Sequence, residues 1–364
     1  MKKIFSLFLT IYLLFFSGQA FCAEASLDEM IGQMIIVGFK GNSTVSRGFK
    51  NVIKELNNGK ISGVIFFEDN IKNKQSLFNM TDIVYKSRMS ARPFIAVDME
   101  GGQVQRLNSK NGFEDFPSAS KVAAMDIKQV QETYSNMAQT LAGNLFNLNF
   151  APCVDLDLNE NSILHKKERS YSSDPAKVAL FANELINAHY DKAIVTVLKH
   201  FPGHGSVAAD THLNFADATE THTTAELLPY KNLMFKNNLI MVMVSHVFNK
   251  NYDEIYPASL SYNTIGWILR SELGFDGVVI TDDLDMGAIK HNYDLEETVI
   301  QAINAGNDIL LFSNRHPYNP NLVDDINKII KNAIVEGLIK PDRIQESYDR
   351  IIKLKKAIIA AEKK

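Results

Sequence analysis

Ile194-Val195-Thr196-Val197-Leu198 runs straight into Lys199-His200-Phe201-Pro202-Gly203-His204-Gly205, and Asp210-Thr211-His212 comes after a short gap. The leading residues are apolar or β-branched on successive positions, the pattern of a strand covered on both faces. The stretch from Phe201 to Gly205 is too rich in Pro and Gly for helix. A buried strand therefore delivers a lysine, histidines and a carboxylate into a loop.

Working outward, similar runs recur at 34–39, 63–67, 93–98, 149–156, 240–246, 277–281 and 308–313. Between and after them lie segments of helical period, at 44–56, 74–87, 120–146, 174–191, 223–236, 263–273, 295–305, 321–336 and 342–361. Asp174-Pro175 opens one helix, Gly274 closes another, and Asp342 is placed to cap the last. Eight strands in alternation with helices, without a Ser/Gly-rich linker, predict a single (β/α)8 TIM-type barrel over residues 26–364. An open doubly wound sheet is the alternative. It calls for a Gly-rich phosphate turn after the first strand, and Gly38-Phe39-Lys40-Gly41-Asn42 matches that poorly.

Residues 1–25 have the form of a signal peptide: Lys2 and Lys3 precede an apolar run over 4–16, which is shorter than the ~20 residues of a spanning helix. The expectation is an exported chain, periplasmic or secreted, without a stable membrane span. Lipid anchoring through Cys22 is the alternative, and Phe21 stands where that processing requires a small residue. With Cys22 and Cys153 as the only cysteines there is no disulfide framework, so the core must hold the fold. Composition supplies that core, with 46% hydrophobic residues against 22% charged. The net charge is -4 and no basic cluster is interleaved with aromatics, so nucleic acid is not an expected partner. Lys353, Lys355, Lys356, Lys363 and Lys364 are assigned to a solvated helix face and tail.

Polar residues at the strand ends form a coherent set. Asp98-Met99-Glu100-Gly101-Gly102, with Arg106 beyond it, suits either a ligand's hydroxyl pair or a turn held by an ion pair. Asp155 and Asp157 share a facing and are either a ligand pair or loop-capping acids, the structural role being favoured, while Arg169 is open between surface and site. His200, His204 and His212 invite a metal, but Pro202-Gly203 breaks the helical turn that a helix-borne histidine pair requires. His204 is assigned to loop structure. Lys199 and His200 suit hydrogen bonds to neutral hydroxyls, and Asp210 is close enough to fix the tautomer of His212, giving either a proton-transfer pair or a loop contact. Of Asp282 and Asp283, adjacent residues on a strand end, one is expected to face the barrel mouth and the other to bond backbone. Ser245 lacks a nucleophile elbow and is read as structural.

Taken together, Val97–Gly102, Lys199–Gly205, Asp210–His212 and Thr281–Met286 resemble the signature blocks of bacterial β-N-acetylhexosaminidases of glycoside hydrolase family 3. The resemblance covers nearly all of the chain after residue 25. It implies a retaining double displacement without metal or cofactor, with Asp282 as nucleophile and His212, oriented by Asp210, as acid/base. It further implies that Asp98, Arg106, Arg169, Lys199 and His200 hold an N-acetylglucosamine unit of a carbohydrate substrate. Gln103, Ser206-Val207 and Lys166-Lys167-Glu168 depart from the family's usual residues. Phosphorolysis of the same glycosides, and non-catalytic binding of cell-wall sugars, are the two competing functions.

Overall fold

In the computed structural model, which describes residues 25–87, 89–208 and 216–363, the apolar runs become parallel strands. They are β1 (Ile35–Val37), β2 (Gly63–Phe66), β3 (Phe94–Val97), β4 (Leu148–Asn149), β5 (Val195–Phe201), β6 (Ile240–Val244), β7 (Val279–Thr281) and β8 (Leu310–Phe312). Every strand pairs with the next in chain order from β1 to β7, and β1 also pairs with β8. A bridge between Ile280 and Ile309 brings β7 against β8 and all but closes the ring. This is the expected (β/α)8 barrel. Its strands are buried residue by residue, as successive apolar positions require when helices cover the outside and side chains fill the inside. Edge-to-face contacts from Phe66 to Phe39 and Phe146, at 5.1 and 5.7 Å between ring centroids, belong to this core.

Local departures have local causes. The fourth strand ends at Asn149, because Pro152 has no N–H for the ladder; the chain nevertheless stays beside β5, with Val154 N–H donating to the Lys199 carbonyl at 2.8 Å. The helix expected over 120–146 is two helices, Ala119–Val122 and Ile127–Gly143. Asp126 divides them by capping the second, accepting from Gln129 N–H at 3.0 Å. Pro341, not Asp342, sets the start of the last helix: Lys340 is the cap and Pro341 takes the first helical position. A short helix, Leu27–Gln33, precedes β1 and is too brief for its period to show in the sequence. The signal segment 1–24, with Cys22, and the Asp210–His212 pair lie outside the described residues.

The C-terminal helix Pro341–Ala361 crosses the N-terminal end of the barrel and corrects one expectation. Lys353, Lys356 and Lys363 are exposed, but Lys355 is 2% exposed. It shares the inward helix face with Ile351, Leu354 and Ile358. Its Nζ donates to Gln33 Oε1 at 2.7 Å and to the Ser62 carbonyl at 3.2 Å, over the Phe94 ring. Among the described residues no carboxylate partners it, and burial pushes its ammonium down to about 7. Folding thus carries a full desolvation cost below about pH 7, relieved as pH rises toward the unfolded value of 10.5. Stability should rise over that window by up to about 5 kcal/mol from this group alone. Lys355→Met is accordingly expected to raise Tm at pH 6 by several degrees more than at pH 9; an equal effect at both would show that the amine is not the titrating group.

Candidate active site

A cavity of about 240 Å³ opens at the C-terminal ends of the strands. Its polar lining includes Asp98 after β3, Arg106, Arg169, Lys199 and His200 on β5, and Asp282 and Asp283 after β7. Ile65, Phe150, Met243 and Leu311 form an apolar floor. All the sugar-holding residues expected from the sequence are therefore together, with the expected nucleophile beside them. A larger hollow of about 550 Å³ lies at the other end, between Phe235, Phe275 and the C-terminal helix. Its walls are largely apolar, with Asp276, Arg350, Lys353 and Lys356 among the lining residues.

The site is organised by a line of alternating charge. Arg106 Nη2 meets Asp98 Oδ2 at 2.9 Å, and Asp98 Oδ1 meets Lys199 Nζ at 3.1 Å. The same ammonium meets Glu100 Oε1 at 2.7 Å, and Glu100 is gripped by Arg169 through Nε at 2.9 Å and Nη2 at 2.7 Å. Burial alone would raise the Asp98 carboxyl, but Lys199 and Arg106 hold it well below the usual carboxylate range. Glu100 is likewise brought down to about 2, against its burial, by Arg169 and Lys199. Lys199 is raised despite its own burial because two carboxylates flank it.

The line continues through His200 to Asp155. Arg169 Nη2 lies 3.3 Å from His200 Nε2, and His200 Nδ1 lies 2.6 Å from Asp155 Oδ2. A guanidinium only donates, so Nε2 accepts and the proton sits on Nδ1, facing the carboxylate. This geometry selects one tautomer. Asp155 also accepts from the backbone N–H of His200 and, at 2.8 Å, of His204. Its own burial is outweighed by His200, which keeps the carboxyl far below the ordinary range. The Lys199–His200 peptide bond is cis.

Two members of the charge line, Glu100 and Asp155, are not among the site residues expected from the sequence. Glu100 shares the facing of Asp98 two residues earlier, which was the available signal. Asp155 was paired with Asp157 as structural, yet only Asp157 stays outside the line, meeting His165 Nδ1 at 2.8 Å. Asp283 does bond backbone as expected, accepting from Ser313 and Asp285 N–H at 2.8 and 3.1 Å, but it lines the cavity as well. Burial, and then Asp285, push its carboxyl up to about 7. Asp282 accepts from the Asp283 N–H at 2.8 Å and is partly exposed to the cavity. Ser245 is structural, its hydroxyl bonding the Phe201 carbonyl at 3.0 Å.

Cys153 Sγ, Asp155 Oδ2 and His200 Nδ1 lie within 4.8 Å of one another, the one such group of potential metal ligands among the described residues. Ligands on one tetrahedral zinc sit about 3.4 Å apart, given bonds of about 2.1 Å. The His200–Asp155 contact of 2.6 Å is shorter and is a hydrogen bond, as is the thiol's contact with Asp155 at 3.2 Å.

A TIM-type barrel that buries paired charges and presents carboxylates to a sugar-sized cavity is the framework of a glycoside hydrolase. The family described as the glycosyl hydrolase family 3 N-terminal domain matches residues 26–354, and the chain belongs to it. It is 32% identical to a beta-hexosaminidase of Alkalilimnicola ehrlichii, over 80% of this chain and 89% of that one. Beta-hexosaminidase A of Pseudoalteromonas piscicida is 27% identical over 93% of this chain, which spans only 63% of that longer protein. Among solved structures, a glycoside hydrolase family 3 beta-N-acetylglucosaminidase from Paenibacillus superposes with a TM-score of 0.83 at 28% identity, covering 92% of this chain and 63% of that one. These relatives place the chain among β-hexosaminidase-type glycoside hydrolases.

Glu100→Gln tests the charge line. Removing one member of a buried ion network leaves Lys199 and Arg169 facing each other, expected to cost about 3 kcal/mol at pH 7 in urea unfolding. The Glu100 contribution is present above its unfolded value of 4.5 and lost as pH falls toward 2, so the gap between wild type and variant should narrow below pH 4.5.

Proposed function

We propose that the protein is an exo-acting, retaining β-N-acetylhexosaminidase that removes terminal β-linked N-acetylglucosamine from cell-wall or chitin-type saccharides. The observation that carries this is Asp282 at the end of β7, facing the same small cavity as the Asp98–Lys199–Arg169–His200 line. At about 240 Å³ the cavity is smaller than the roughly 300–1,000 Å³ of sites for drug-sized ligands, which suits one sugar ring and hence removal of terminal units. The names of the relatives support the amino-sugar preference.

In this reading Asp98, Lys199, Arg106, Arg169 and His200 hold the sugar unit. Asp282 attacks the anomeric carbon while His212, oriented by Asp210, gives its proton to the departing oxygen. The leaving group departs as an alcohol, and the sugar is held on Asp282 as an ester. Water then attacks that carbon, neutral His212 takes the water's proton, and Asp282 is released. General acid and base action of this kind is worth ~10²–10⁴-fold. Residues 1–25 would direct export to the periplasm or beyond. Among the described residues no helix is long and apolar enough to cross a membrane.

An aryl β-N-acetylglucosaminide should be hydrolysed at least 10-fold faster than the matching β-glucoside, and Asp282→Asn should lower turnover by ~10³-fold or more. Comparable rates on both glycosides would overturn the amino-sugar assignment. Sugar 1-phosphate as the main product in phosphate buffer would show a phosphorylase instead.

A further inference from the structure

We propose that Glu226 and His222 are positioning residues for the reaction, clamping from outside the turn Pro202–Ser206 that joins the sugar-holding strand end to the Asp210–His212 pair. The proposal rests on the reading of His212 as acid/base.

Glu226 has an ordinary role that leaves half of its carboxylate unexplained. Thr223 and Glu226 form a capping box, in which Glu226 Oε1 accepts from Thr223 N–H at 3.3 Å at the start of the turn Thr224–Leu227. That accounts for one oxygen. The other, Oε2, reaches away from its own element and accepts from Gly205 N–H at 3.1 Å. Glu226 is 1% exposed, and burying a carboxylate is costly unless its bonds repay the cost.

The turn is shaped to receive it. Gly203 has φ +130°, and a Cβ there would lie 2.6 Å from the Glu226 Cβ and 2.8 Å from its Oε2. A side chain at Gly203 would therefore expel the carboxylate. Next to Glu226, His222 Nε2 donates to the Pro202 carbonyl at 3.1 Å, and the Tyr252 hydroxyl lies 3.3 Å from its Nδ1. From the inner side Asp155 takes the His204 N–H at 2.8 Å, and the Leu156 carbonyl sits where a Gly205 Cβ would be, 1.8 Å away. The turn is gripped on both sides, and only the inner grip belongs to the sugar site. The outer grip acts on the point from which the chain sets out toward Asp210 and His212.

A displaced general acid has a signature that loss of stability does not. Aryl leaving groups that are weak acids require a proton from the enzyme, and strongly acidic nitrophenols do not. Values of kcat/KM are to be measured on N-acetylglucosaminides of phenol and of dinitrophenol for the full chain, Glu226→Ala, Glu226→Gln, His222→Ala and His212→Ala. Glu226→Ala is expected to lose about 10- to 100-fold on the phenyl glycoside and about twofold or less on the dinitrophenyl one. Glu226→Gln, which keeps an oxygen for Gly205 N–H, should recover most of that loss. His222→Ala, at a half-buried position, should show the same bias more weakly and answers the question if Glu226→Ala does not fold. Equal losses on both substrates, or none, alongside a strong bias in His212→Ala would overturn the positioning role alone. No bias in His212→Ala would overturn the acid/base reading and the proposal with it.

Discussion

Lys199 sits between two carboxylates with 2% of its surface exposed, and the site depends on that arrangement. An ammonium or a carboxylate moved singly into the interior costs several kcal/mol. Here three cations, Arg106, Lys199 and Arg169, meet three anions, Asp98, Glu100 and Asp155, with His200 linking Arg169 to Asp155. These six charges balance, so no member is buried uncompensated. Its second effect is rigidity, because the line ties together side chains carried by the segments after β3 and β4 and by the end of β5. Pre-set hydrogen-bonding groups are what a polyhydroxylated ligand needs if binding is not to spend energy on ordering them.

The barrel makes this line possible. Parallel strands in a ring bring positions far apart in sequence to one rim: Asp98 and Lys199 are separated by 101 residues, Glu100 and Arg169 by 69, Asp155 and His200 by 45. The strands were legible because short runs of successive apolar, β-branched residues fit little except a strand covered on both faces. Asp98, Arg106, Lys199 and His200 were legible as strand-end polar groups, and Arg169 only through its family resemblance. What the sequence could not show was who meets whom. Facing can be counted from a strand's period, but whether Asp155 caps a loop or orients His200 depends on a residue 45 positions away. Lys355 failed for the same reason, since a lysine within a basic helix looks solvated until the barrel end it plugs is known.

Both ends of the barrel bury charge, and they use it differently. At the N-terminal end Asp308 accepts from Arg343 at 2.7 Å, Ser347 at 2.9 Å and Arg350 at 3.3 Å on one oxygen, and from Arg270 at 2.6 Å and Val279 N–H at 2.9 Å on the other. With five donors its lone pairs are used up. That carboxylate ties the C-terminal helix to the strands and has nothing left to offer a ligand. At the mouth, Asp98 has one cation on each oxygen and Lys199 uses two of its three protons among the described residues. Residual hydrogen-bonding capacity directed into the cavity at the strand ends distinguishes Asp98 and Lys199 from the saturated Asp308, and it is this capacity on which the proposed sugar site draws.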